Sequence, residues 1–230
     1  MAFGDPDATS QAQYAADVRY SKEPDVRASI TTKGGASLDS IFPGASAGPM
    51  KALLYDRGVV FPYVPTIMAG FSANYGKHQP IHSNFTYKFF QNYEMQDITV
   101  TGNFTAHTTV EGQYMEAAML FFKSAMKIGF GDIDPQRGVP PPVLEFNAWG
   151  EAWMKKVPVV LTNFTYNIDG SVDYTWPVGE GSAPSYYDSM MPLKVQFILN
   201  LSPTYSTKST RIKFTTEKFY NGSLLSKGYL

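Results

Sequence analysis

Apolar and polar positions alternate most cleanly at 97–106 of this chain. There Ile98, Val100, Phe104 and Ala106 interleave with Asp97, Thr99, Thr101, Asn103 and Thr105. A period of two puts the first set on one face of a strand and the second set on the other. Upstream, Ile81, Phe85, Tyr87 and Phe89 share a face opposite His82, Asn84, Thr86 and Lys88. Gln91-Asn92 between the two runs reads as a turn, so together they predict a long antiparallel hairpin. GVVFPYVPTI predicts a short strand cut by prolines, hence one at an edge or a sheet entrance. VLEFNAW predicts another short strand. VPVVLTNFTYN and SVDYTW, with Asp169-Gly170 between them, predict a second hairpin. In LKVQFILNL, Leu193, Val195, Phe197, Leu199 and Leu201 lie on one face, and Lys194, Gln196, Ile198 and Asn200 on the other.

Only one long stretch changes period. Thr108 and Glu111 form an S/T-x-x-E capping box, which ties off the first free amides of a helix. From Glu111 to Lys127 the polar positions Gln113, Glu116, Lys123 and Lys127 keep near one line. Tyr114, Met115, Ala118, Met119, Phe121, Phe122, Ala125 and Met126 cover most of the rest, a stripe wider than a helix needs to sit on one sheet. Mostly antiparallel strands with one principal helix make the predicted class α+β and β-rich. Residues 1–50 hold Pro6, Pro24, Pro43 and Pro49 with no sustained period, which predicts an extended arm ordered by contact. Residues 51–205 form the predicted β domain. Residues 206–230 form a basic extension, with Lys208, Arg211, Lys213, Lys218 and Lys227 against Glu217.

Composition narrows the chemistry. Hydrophobic residues make up 43%, aromatics 15% and charged residues 17%. So few charges beside so many aromatics point to a surface partly covered by a partner. A net charge of −1 gives no bulk attraction to nucleic acid or anionic membrane. With no cysteine there is no disulfide, thiolate nucleophile or cysteine-bound zinc. The N-terminus lacks the basic-then-apolar order of a signal peptide, and no apolar run reaches membrane-spanning length, so folding in the cytoplasm is expected.

Candidate catalytic and metal motifs fail on context. Gly44-Ala45-Ser46-Ala47-Gly48 matches the G-x-S-x-G elbow of hydrolases, but the surrounding chain lacks the alternating strands and helices that elbow needs. His78, His82 and His107 have no HExxH spacing or nearby carboxylate partner. Asp132 and Asp134 lack the other ligands of a calcium loop, and Glu145 and Glu151 have no arguable pocket. PGASAGPMK lacks the G-K-[ST] end of a phosphate loop. Asn-Phe-Thr recurs at 84–86, 103–105 and 163–165, each placed mid-strand with Phe inward. No cofactor, metal or catalytic residue is expected. The basic extension matches no nucleic-acid motif, and an acidic neighbouring subunit suits it at least as well.

GVVFPYVPTI, then ITVTGNFTAHTTVEGQYMEAAMLFFKSAMK, RGVPPPVLEF and VPVVLTNFTYNIDGSVDYTW together resemble baseplate and tail-tube-initiator proteins of tailed bacteriophages. The resemblance covers roughly residues 57–177 and rests on the order of these phrases. It implies a tail-tube-like fold of two packed antiparallel sheets with a flanking helix, assembled as a hexameric ring around a DNA channel. The ring would join the baseplate hub or spike proteins to the tail-tube protein and template tube growth in the virion tail, without enzymatic activity. On that expectation Asp97, Thr99, Thr101, Asn103, Thr105, Lys194, Gln196 and Asn200 line the channel. Tyr114, Met115, Met119, Phe122 and Met126 meet the next subunit. Within the same class stand a bulk tube subunit and another baseplate component. From other classes stand a carbohydrate-binding β module using Trp149, Trp153 and Trp176, and an esterase using Ser46.

Overall fold

The computed structural model describes residues 27–132, 134, 136–150, 153–175 and 191–230. The strands among them are β1 Ser29–Thr32, β2 Gly58–Val60, β3 Thr66–Met68, β4 Phe71–His78, β5 Tyr87–Met95 and β6 Ile98–Thr105, then β7 Leu144–Ala148, β8 Met154–Asn167, β9 Tyr174–Thr175, β10 Met191–Pro192 and β11 Lys194–Pro203. The helices are α1 Leu38–Ile41, α2 Thr109–Ser124, α3 Thr207–Lys213 and α4 Thr216–Tyr220.

The chain is α+β and strand-rich, as its periodicities predict. Seven strands form one antiparallel sheet in the order β2-β1-β7-β8-β11-β6-β3. The expected second packed sheet is absent among the described residues; β4–β5 and β9–β10 are two-stranded ribbons. The single sheet curls instead. Phe61, just past edge strand β2, packs on Phe104 of β6 at 5.6 Å between ring centres. Gly102 permits this, since a Cβ there would come within 2.5 Å of the Phe61 ring.

β6 and β11 obey their alternation. Ile98, Val100 and Phe104 face Leu201, Leu199 and Val195 across the ladder, and all six are buried. α2 covers this face: Phe122 meets Phe164 at 5.3 Å and Phe197 at 6.1 Å. Its start follows the capping signal. The Thr108 hydroxyl accepts from the Glu111 N–H at 3.3 Å, and the Glu111 carboxylate accepts from the His107 N–H at 2.8 Å.

Both predicted hairpins are corrected. β5 runs straight through Gln91-Asn92 and pairs with β4, while β6 pairs with β11 and β3. Asn92 lies opposite Asn74 and Phe90 opposite Tyr75, so Gln91 is the extra residue of a β-bulge. A bulge tolerates the same polar residues as a turn, which explains the misreading. The real turn lies near Pro80, whose carbonyl accepts from the Ser83 N–H. In the second case the turn forms as expected, with the Asp169 carbonyl accepting from Val172. The return strand is β11, however, and among the described residues β9 pairs with β10 alone. β11 wins because its apolar face continues across the whole ladder.

The predicted arm is corrected over its described part, residues 27–50. β1 pairs on one side with β2 and on the other with β7. Ile30, Leu38, Ala45 and Met50 are buried in the common core. Residues 1–26 of that arm lie outside the described residues. At the other end, 206–230 docks onto β8. Leu224 and Tyr229 are buried, and Tyr229 stacks on Tyr205 at 5.4 Å. Gly228, at φ 84°, brings its backbone against the Lys156 carbonyl, leaving no room for a Cβ.

Candidate assembly surface

The two polar stretches predicted for a channel lie side by side on one face. Lys194 stands opposite Thr105, Gln196 opposite Asn103 and Asn200 opposite Thr99. The Thr99 hydroxyl donates to the Asn200 side-chain oxygen at 3.2 Å. Thr101 faces Ile198 on one side and Thr66 of β3 on the other. The strand at VPVVLTNFTYN was expected, but its place on this face was not: β8 extends the face with Asn163, Thr165 and Asn167 opposite Asn200, Ile198 and Gln196. The Asn-Phe-Thr repeat was the available signal. In two copies Phe104 and Phe164 turn inward while Asn103, Thr105, Asn163 and Thr165 turn outward. The third copy, at 84–86, is not mid-strand but in the β4–β5 loop, with Phe85 exposed.

This face carries amides and hydroxyls with few ions. Asp97 and Lys194 stand at its opposite ends. The Asp97 carboxylate is 3.4 Å from the Thr162 hydroxyl, which is also 3.0 Å from the Asn200 carbonyl. Near Lys194, hydrogen bonds from Ser171 hold the Asp169 carboxyl below its usual range, with Lys194 adding a smaller pull.

The sheet's edge continues beyond the sheet. β3 pairs with β6, and β4 pairs with β5, so one ribbon runs from the edge into a free two-stranded projection. Eight residues of β4 carry it about 25 Å past β3. Phe71 stacks on Tyr93 at 6.2 Å, and Tyr75 meets Phe90 edge-on at 5.8 Å. The register puts all four on one face, together with Ala73 and Met95. Phe71, Tyr75, Tyr87, Phe89, Phe90 and Tyr93 are each 52–60% exposed. The alternation of Phe71, Ala73 and Tyr75 opposite Tyr93 and Met95 was the signal for this projection.

The opposite edge is closed. Tyr114, on α2, accepts from the Val60 N–H at 2.8 Å and donates to the Val60 carbonyl at 3.0 Å. One side chain thereby satisfies the peptide groups of Val60, part of an edge that would otherwise invite a foreign strand.

This corrects the expected helical interface. Tyr114, Met115 and Phe122 are buried inside the chain's own core, while Met119 and Met126 are half-buried against it. The stripe is wide because α2 is covered from several sides. Phe121 meets Phe42 at 5.4 Å, Phe122 meets the sheet, Tyr114 reaches β2, and the 3-10 turn Pro49–Leu53 adds Met50 and Leu53.

The remaining candidates stay apart. Ser46 sits between α1 and that 3-10 turn rather than on a strand-to-helix elbow, and its N–H donates to Asp39 at 2.9 Å. His78 ends β4, His82 lies in the loop after it, and His107 precedes α2. Asp132 pairs with Arg137 at 2.8 Å, and Glu145 accepts from the Gly34 N–H at 3.0 Å. Glu151 and Trp176 lie outside the described residues, whereas Trp149 and Trp153 are exposed in the β7–β8 connection. Among the described residues, no group of three or more His, Asp or Glu is placed to hold a metal, and no helix is long and apolar enough to cross a membrane. The chain matches no family model and no curated protein.

Proposed function

We propose that this protein is a structural ring component of a phage tail, assembling through copies of itself. The observation that carries the reading is the β4–β5 projection. A ribbon of two strands with an aromatic face and two free edges is a marginal structure alone and gains a partner's surface on assembly. With one edge sealed by Tyr114 and the other prolonged, association has a direction.

The ring is hexameric in this reading, following the resemblance of its strand and helix phrases to tail-tube-initiator proteins. It joins the baseplate hub to the tail tube and templates the tube. The Thr/Asn/Gln face of β6, β8 and β11 turns toward the DNA channel. Such a lining suits passage, because cations that neutralise phosphates would grip the duplex in a salt-dependent way. Asp97, Thr99, Thr101, Asn103, Thr105, Lys194, Gln196 and Asn200 keep their role as channel groups. Of the helical set, Met119 and Met126 retain accessible surface for a neighbour. A bulk tube subunit differs in copy number, with many rings per virion rather than one.

The test is negative-stain imaging and mass photometry of the full chain at rising concentration, with and without its hub partner. Six-fold annuli are expected. Protein that stays monomeric on its hub overturns the proposal. The exposed Trp149 and Trp153 favour one rival, a carbohydrate-binding module, which monomeric binding on a glycan array would reveal.

A further inference from the structure

The register of the β4–β5 ribbon sorts its side chains onto two faces. Phe71, Tyr75, Phe90 and Tyr93 share one face with Lys77 and Lys88, while Ser72, Asn74, Asn92 and Glu94 lie on the other. Lys77 stands directly opposite Lys88, beyond the four rings. Like charges facing each other across a strand pair repel, so this pair weakens the ribbon until an anion joins it. Among the described residues neither lysine has an acid in ion-pair contact. Glu94 is on the wrong face, where its carboxylate accepts from the Asn74 amide at 3.5 Å. α2 carries the converse. Glu116 is half-buried, and one of its carboxylate oxygens is enclosed with no hydrogen-bond partner among the described residues, while the other reaches the surface. One helical turn away on either side stand Gly112, Gln113, Met119 and Leu120, none of them cationic. Lys123, two turns on, is held over the Tyr166 ring at 4.9 Å. Met119 and Leu120 pack on the core and keep part of their surface accessible.

We infer that the Lys77/Lys88 face of one copy's ribbon docks on the outer side of α2 of a second copy, with Glu116 set between the two lysines. The inference rests on the ring reading above and names the surface that receives the projection. Within one chain these charges leave each other unpaired, and both surfaces are present on every copy. Docking relieves the lysine repulsion, gives the carboxylate its missing cation and lays the aromatic face over Met119 and Leu120. Glu116 has already lost part of its hydration in the monomer, so the contact dehydrates it less than a fully exposed acid. Ribbon and helix are different surfaces, so the contact is heterologous and closes into a ring or runs on as a filament. Single-stranded nucleic acid also uses aromatic and basic side chains, but it fits this face less well. The four rings pack on one another, Phe71 on Tyr93 and Tyr75 on Phe90, and such a ligand would leave Glu116 without a cation.

Isotope-labelled and unlabelled full-length protein are mixed at high concentration and treated with a carbodiimide, which joins an amine to a carboxylate already in contact. Peptides linking Lys77 or Lys88 to Glu116 across a labelled and an unlabelled chain are expected. The double variant Lys77→Glu/Lys88→Glu, at exposed sites, and Glu116→Lys should each weaken self-association by about tenfold or more in analytical ultracentrifugation, with unchanged circular dichroism. Mixing the two variants should restore it, because every ribbon then meets a helix of opposite sign when the chains alternate. Glu116→Gln should weaken association in the same direction and serves if Glu116→Lys does not fold. Rings by imaging with no such crosslink, or with no rescue between folded variants, would overturn this contact while leaving the ring reading intact. Monomers without crosslinks, even with the hub partner present, would overturn both. Binding of a fluorescent single-stranded oligonucleotide that Lys77→Glu/Lys88→Glu abolishes, with self-association unchanged, would assign the face to nucleic acid and overturn the inference.

Discussion

Replacing Tyr114 by Phe tests whether one hydroxyl holds the β2 edge. The ring of Tyr114 is 1% exposed, so Phe keeps the packing and removes only the oxygen. Two hydrogen bonds go with it, at 2.8 and 3.0 Å, leaving the Val60 N–H and carbonyl facing the space beneath α2. A buried peptide group without a partner costs about 1–3 kcal/mol, so the pair amounts to roughly 2–6 kcal/mol. That is a large share of the total stability of about 5–15 kcal/mol usual for a domain. For a chain of 230 residues, each kcal/mol moves Tm by about 2–4 °C, giving an expected fall of roughly 4–24 °C. Urea unfolding followed by circular dichroism should show a lower midpoint at unchanged slope, because the area exposed on unfolding hardly changes. A loss below about 0.5 kcal/mol would refute the claim that Tyr114 satisfies this edge.

Three further outcomes are expected. Phe122→Asp buries a charge at a fully enclosed site and should cost about 4 kcal/mol or more, abolishing the folded monomer, whereas Phe90→Asp on the exposed projection should leave circular dichroism intact and block assembly by mass photometry. Gly228→Ala adds a Cβ about 2.2 Å from the Lys156 carbonyl at φ 84°; limited proteolysis should then cut within 206–230 while the sheet core survives. Burial is the main cause pushing the Tyr205 phenol up to about 12, and nearby Tyr93 and Tyr229 add to it. The unfolded phenol loses its proton near pH 10, so the neutral form's contribution is complete below that and declines as pH rises toward 12. Tyr205→Phe should flatten stability over that alkaline window in pH-dependent urea melts.

Sequence periodicity reached what depends on neighbours along the chain. β6, β11 and α2 were legible because Ile98 to Ala106, Val195 to Leu201 and the Thr108–Glu111 cap each carry a local signal. β1 was not: of Ser29–Thr32 only Ile30 is apolar, and its partners lie at 58–60 and 144–147. The polar face was legible one strand at a time, but its unity depends on a register linking Thr99 to Asn200 across the sequence. In the α2 stripe the hydroxyl sets Tyr114 apart from Phe121 and Phe122, but nothing local names Val60 as its partner. Composition also misleads when one residue type serves two geometries, as Gln91 does in its bulge.

A double strand standing clear of its parent sheet has few contacts to set against the entropy of its own ordering. In a lone molecule its amides should therefore exchange with solvent far sooner than those of the central strands. Whatever first clasps the projection must overcome that disorder as well as the loss of free tumbling. Under the proposed ring assembly, nuclei would then arise rarely in dilute solution, and growth would wait for a platform that holds several molecules in place at once. On that proposal, slow spontaneous assembly would follow from the width of the ribbon, two strands among the described residues.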